Sequence, residues 1–107
     1  MKRYGQAIRL RPGMEARYRE LHRAVWPAVL DRISVCGIRN YTIFLRDGWL
    51  FATFEYHGDD FAADMAKMAA DPETLRWWRE TDPCQEPAPF AKPGEWWAGM
   101  DEVFHVE

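Results

Sequence analysis

Residues 3 to 10, RYGQAIRL, alternate so that Tyr4, Gln6, Ile8 and Leu10 share one face, which is the period of a strand, and Pro12 and Gly13 close it. From Met14 the period changes. Met14, Tyr18, Leu21, His22 and Val25 fall on one helical face until Pro27 interrupts it; Val29, Leu30 and Ile33 then resume it, and Gly37 supplies a left-handed cap. Tyr18, His22 and Trp26 are spaced four apart, so a helix carries them on one stripe.

The run RNYTIFLRDGWLFATFEY places two β-rich segments around Asp47-Gly48, the dipeptide a two-residue type I′ turn demands, and so predicts a hairpin. Its apolar residues occupy both parities: Tyr41, Ile43 and Leu45 against Phe44, then Leu50, Ala52 and Phe54 against Phe51. A sheet with one wet face would alternate more cleanly, so both faces are expected to be covered. Residues 60 to 70 predict a helix with Phe61, Met65 and Met68 inward, and Asp71 with Pro72 caps a second one through RWW at 76 to 78. Four prolines make 82 to 94 a loop, and the alternation over 100 to 107, MDEVFHVE, predicts a last strand.

The order is therefore β-α-β-β-α-β in one domain over 1–107, an α+β, ferredoxin-like arrangement with a four-stranded antiparallel sheet and helices on one face. Covering the other face calls for a second copy about a two-fold axis, so a homodimer of the dimeric α/β barrel type is expected.

Composition sharpens this picture in one respect. Six tryptophans in 107 residues exceed what a core of this size needs, and indoles suit the wall of a cleft. The net charge of −3, with basic residues scattered among acidic ones, offers no nucleic-acid groove and no anionic-lipid surface. The longest apolar run, WLFATF, falls far short of the roughly 20 residues that cross a bilayer, and the start lacks a signal-peptide core; a cytoplasmic protein is the expectation. Cys36 and Cys84, outside any CxxC spacing, read as two reduced thiols.

No nucleophile elbow, glycine-rich phosphate loop or histidine pair spaced for a metal occurs, so neither metal nor cofactor is expected. His22 stands out instead. It is either a satisfied core histidine or a pocket group, and the amphipathic rings of Tyr18 and Trp26 on either side favour a wet cleft. Trp77 and Trp78, about 100° apart on a helix, cannot both be core; one is expected to line a cavity. Trp96 and Trp97 read as a plug or a contact, without chemistry. A ring-walled pocket with few charges suits a neutral polyhydroxylated ligand, and a lone imidazole can do little beyond moving protons, which is what interconverting sugar anomers requires.

These residues resemble the L-rhamnose mutarotases over nearly the whole chain. The resemblance rests on Tyr18, His22 and Trp26-Pro27, on NYTIFL at 40 to 45, on RWW at 76 to 78, and on EVFHV at 102 to 106. It implies an isomerase, a dimer, a sugar substrate, His22 as proton donor, and Tyr18, Tyr41, Trp77 and Trp78 as substrate-binding residues. The chain departs from relatives at Arg23-Ala24, where Asn-Pro is frequent, and in its Pro- and Trp-rich segment 84 to 97. Two other classes remain open at this level: a non-catalytic sugar or small-metabolite binding module, and a cofactor-free monooxygenase of the same dimeric fold.

Overall fold

A computed structural model describes all 107 residues. The N-terminal alternating segment is β1 (Lys2–Leu10), in the middle of an antiparallel sheet. Its register against β3 (Trp49–Tyr56) pairs Tyr4 with Phe54, Gln6 with Ala52 and Ile8 with Leu50, so these side chains point to one side, towards the helices. β2 (Ile38–Arg46) flanks β3, and the turn between them holds Asp47 at φ 51° and Gly48 at φ 77°, the two positive values a type I′ turn requires. On the opposite edge of β1 two short strands share the place: β4 (Gln85–Glu86) opposite Arg9 and Leu10, and β5 (Ala98–Met100) opposite Gly5 to Ala7. The sheet order is β2-β3-β1-β4, with β5 further along the same edge as β4.

The fourth strand thus differs from the sequence expectation. Alternation predicts it over 100 to 107, whereas β5 ends at Met100 and residues 101–107 are exposed without regular structure. With Met100 opposite Gly5, three residues of β1, Lys2 to Tyr4, are left beyond the pairing, and Val103 and Phe104 are 95% and 79% exposed, so no apolar burial draws the alternating segment onto this edge. The expected loop at 82 to 94 in turn contains a 3₁₀ turn at Asp82–Cys84 and β4.

The helices begin where the punctuation places them. α1 is Glu15–His22, α2 Pro27–Val35, α3 Phe61–Ala70 and α4 Pro72–Thr81. Pro27 and Pro72 open α2 and α4, positions where the missing N–H costs nothing. Asp60 accepts the Ala63 N–H and Asp71 the Thr74 N–H, so both N-termini have side-chain caps. At Pro27 the helix breaks completely: α1 stops at His22, and Trp26 stands in extended conformation just before α2.

The core has two lobes on the helical side. Ile8, Leu10, Tyr18, Leu50 and Cys84 form one, with Ile43, Leu45 and Trp97 packed against it; Ile38, Phe54 and Tyr56 form the other, with Tyr4, Phe61, Met65 and Met68 around them. On the other face Phe44 and Phe51 are exposed, and Phe90 stacks on Trp49. Both cysteines are buried free thiols. No helix is long and apolar enough to cross a membrane.

Candidate functional site

The site lies on the helical side, and an irregularity in β2 helps to build it. Between Arg39, opposite Glu55, and Thr42, opposite Thr53, the pairing gains one residue, so Asn40 and Tyr41 together face Phe54. Asn40 adopts φ 50°, a left-handed conformation that asparagine tolerates better than most side chains. This bulge resets the alternation: Ile38 before it and Ile43 and Leu45 after it all join the core on one side. Tyr41 lands on that side as well, its ring 5.6 Å from Phe54.

Among the helices, α1, α4 and Trp26 just before α2 supply a continuous run of rings. Tyr18 and His22 stack with centroids 4.2 Å apart; His22 meets the edge of Trp77 at 5.4 Å, and Trp77 meets Trp26 at 5.3 Å. An Arg17–Glu80 ion pair at 2.8 Å joins α1 to α4, and Arg32 reaches Asp71 at 3.3 Å to join α2 to α4. Both pairs are partly solvated, so packing of the rings holds the helices together more than charge does.

His22 is half-buried, and one hydrogen bond fixes its chemistry. Its Nδ1 lies 2.8 Å from the main-chain carbonyl oxygen of Tyr18. A carbonyl only accepts, so Nδ1 carries a proton, and in the neutral ring Nε2 presents a lone pair. Nε2 has no protein partner, and no buried side-chain nitrogen or oxygen is left unsatisfied; Nε2 therefore opens to solvent. The indole N–H of Trp77, in a residue 6% exposed, meets the same condition. Imidazole and indole thus each keep a polar atom within reach of solvent in this cluster of rings.

The phenols are held neutral. Burial drives the Tyr18 hydroxyl far above its ordinary value, with the nearby Tyr41 phenol adding to the shift. Tyr41 keeps two-fifths of its surface exposed, but its hydroxyl end is crowded by protein, which pushes it up to about 12. Both remain hydrogen-bonding phenols over the ordinary pH range. Tyr18 also takes a 3.3 Å hydrogen bond from the side chain of Gln85.

Of the residues nominated from sequence, the structure sets His22 in contact with both Tyr18 and Trp77, and packs Tyr41 on Phe54 on the same side of the sheet. Trp78 is half-buried on the next face of α4 and outside the ring stack. Trp26 enters the stack although α1 does not reach it; its four-residue spacing from His22 was the visible signal. Gln85 had none, because a single glutamine in a proline-rich stretch belongs to no periodicity.

Residues 3–106 match a family model described as L-rhamnose mutarotase. The chain is 32% identical over 102 residues to an L-rhamnose mutarotase of Burkholderia orbicola, covering 94% of this chain and 93% of that one. It is 30% identical to one from Phocaeicola vulgatus, over the whole of both chains. Among solved structures, an L-rhamnose mutarotase from Formosa agariphila superposes with a TM-score of 0.79 at 23% identity over the whole of both chains. A type-II polyketide cyclase from Streptomyces glaucescens superposes at 0.65 with 12% identity, also over the whole of both chains, a likeness of fold alone.

Proposed function

Because this chain belongs to the L-rhamnose mutarotase family, we propose that it interconverts the α and β anomers of L-rhamnose or a close 6-deoxyhexose, with His22 carrying the proton. The observation that supports this reading most directly is the division of labour on one imidazole. Nδ1 is tied to the Tyr18 carbonyl, which leaves Nε2 free at the edge of the cluster formed by the Tyr18 and Trp77 rings.

In the protonated ring, Nε2–H gives its proton to the sugar's ring oxygen as the bond from that oxygen to the anomeric carbon breaks. The anomeric hydroxyl loses its proton to water, and its electron pair closes the carbonyl of the open-chain aldehyde. Rotation about the bond next to the carbonyl and attack by the freed hydroxyl on the other face give the second anomer; that hydroxyl returns its proton to Nε2 while the former carbonyl oxygen takes one back from water. One proton is given and one is taken, so no redox step arises. The Tyr18 and Tyr41 hydroxyls bond the sugar's hydroxyls, with Trp77 and Trp78 as apolar parts of the wall. A set of rings and hydroxyls, with no arginine or lysine among Tyr18, His22, Tyr41, Trp77 and Trp78, favours an uncharged ligand over a phosphorylated one.

The exposed face of the sheet supports a homodimer. Phe44 and Phe51 lie there beside Met100, 60%, 41% and 42% exposed. A two-fold rotation sets such an apolar centre on its own copy. The cytoplasm, where thiols stay reduced, suits the free Cys36 and Cys84.

Saturation-transfer NMR on L-rhamnose, L-fucose, D-galactose and D-ribose tests the reading. Faster anomer exchange on L-rhamnose, abolished in His22→Ala with fold retained, is the expected result. Full exchange in that variant overturns the role of His22, binding without exchange selects a sugar-binding module, and oxygen uptake with an aromatic substrate selects the monooxygenase class.

A further inference from the structure

Gln85 is 3% exposed, and its side chain belongs neither to the apolar core nor to the ring stack. Its backbone is fixed firmly. It pairs with Leu10 across the sheet, and its carbonyl accepts the Nε–H of Arg11 at 3.0 Å. Its amide then makes two hydrogen bonds: Oε1 lies 2.9 Å from the indole nitrogen of Trp96, and Nε2 lies 3.3 Å from the Tyr18 hydroxyl.

The chemistry of the three groups gives this chain a direction. An indole N–H can only donate, so the amide must turn its oxygen to Trp96. Its NH₂ is thereby left facing Tyr18, and against an NH₂ donor the phenol oxygen must accept. The Tyr18 hydrogen is then free, with no protein acceptor engaged, and points away from Gln85. Without Trp96, the amide could turn over and present oxygen to Tyr18, which would draw that hydrogen back into the protein.

Trp96 is itself set in place by a braced loop. The Glu95 carboxylate accepts the main-chain N–H groups of Lys92 at 2.8 Å and Gly99 at 3.2 Å, and these bonds hold it well below the usual carboxylate range. Pro87, Pro89 and Pro93 remove freedom from the same segment. The neighbouring Trp97 packs against the core lobe that contains Tyr18.

We propose that Gln85, oriented by Trp96, is a positioning residue that holds the Tyr18 hydroxyl as a hydrogen-bond donor to the sugar. This rests on the reading of the ring cluster as a sugar site. It gives the Pro- and Trp-rich segment a function in recognition: the segment selects a ligand that offers an acceptor oxygen, a hydroxyl or ring oxygen, opposite Tyr18.

The test compares Gln85→Glu, Trp96→Phe and Tyr18→Phe, alone and combined, by the dependence of exchange rate on L-rhamnose concentration. An ionised glutamate accepts from both sides and captures the Tyr18 hydrogen. Gln85→Glu should therefore raise KM about tenfold at neutral pH, the size expected for one oriented hydrogen bond lost, with kcat changed less. A protonated glutamate again offers a carbonyl to Trp96 and a donor to Tyr18. Relative to the unsubstituted chain at each pH, the variant should therefore recover as pH falls, a dependence that a purely packing role does not produce. Trp96→Phe should raise KM by a smaller factor without that recovery, and neither substitution should add to Tyr18→Phe. Unchanged KM in both variants, or effects that add in full to Tyr18→Phe, overturns the proposal. If Gln85→Glu does not fold, Trp96→Phe, altered at a partly exposed ring, decides by the same criterion. Failure of the unsubstituted chain to exchange L-rhamnose overturns the sugar-site reading itself, whereas exchange with unaffected variants overturns only the role of Gln85.

Discussion

The Nδ1–H of His22 donates to the carbonyl of Tyr18 one turn earlier at 2.8 Å, while the rings of the same two residues stack 4.2 Å apart. A single residue thus fixes both the orientation and the tautomer of the imidazole. Nitrogen-resolved NMR of the chain with a neutral His22 should show the proton on Nδ1 and a bare Nε2. A dominant Nε2–H form would contradict the assignment of Nε2 as the proton carrier.

The bulge in β2 offers a second measurement. Asn40 holds a positive φ, which most other side chains enter at a cost of about 1–2 kcal/mol. Asn40→Val should lower stability by roughly that amount and, by shifting Tyr41, raise KM for the sugar; Asn40→Gly should fold normally. Denaturant midpoints and exchange kinetics check the pair, and a fully stable Asn40→Val with unaltered KM would show that the bulge does not position Tyr41.

Leu50 is completely buried opposite Ile8, on the strand shared by both halves of the sheet. Leu50→Ala should cost about 2–5 kcal/mol, the range for emptying a packed core position. Urea unfolding followed by tryptophan fluorescence measures it, and a cost below about 1 kcal/mol would mean that the lobe collapses to fill the gap.

Alkaline pH should weaken the fold. Burial and a hydrogen bond to Asp64 push the Tyr56 hydroxyl up to about 12; Tyr41 reaches about 12, and Tyr18 lies higher. An unfolded tyrosine loses its proton near pH 10, so below about that value both states keep their protons and stability is complete. Above it the unfolded chain releases protons first, and stability falls as pH rises through the folded values. Unfolding midpoints measured from about pH 9 to about pH 11 should fall, less steeply in Tyr56→Phe. A flat profile would contradict the burial of these hydroxyls.

The exposed sheet face can be tested independently of the chemistry. Phe44→Asp places a charge in the apolar centre of that face and should yield monomers in sedimentation. The hydrogen-bonded and stacked groups around His22 all come from one chain, so exchange per protomer should persist. An unsubstituted chain that sediments as a monomer at micromolar concentration would remove the dimer.

Local physics made much of this molecule legible from its sequence. Alternation defined β1, Asp47-Gly48 defined the hairpin turn, and Asp71-Pro72 defined the start of α4, because each depends on the backbone preferences of a few adjacent residues. The four-residue spacing of Tyr18 and His22 likewise guaranteed their contact on α1. Other features were decided by pairing across distance. Alternation in 100 to 107 could not reveal that the pairing with β1 ends at Met100, and the apolar residues of NYTIFL could not reveal the bulge at Asn40 and Tyr41. The link from Trp96 through Gln85 to Tyr18 spans residues far apart in the chain. A hydrogen bond between remote side chains leaves no period in a sequence; it exists only once the sheet has set its strands in register and the loop has folded back over them.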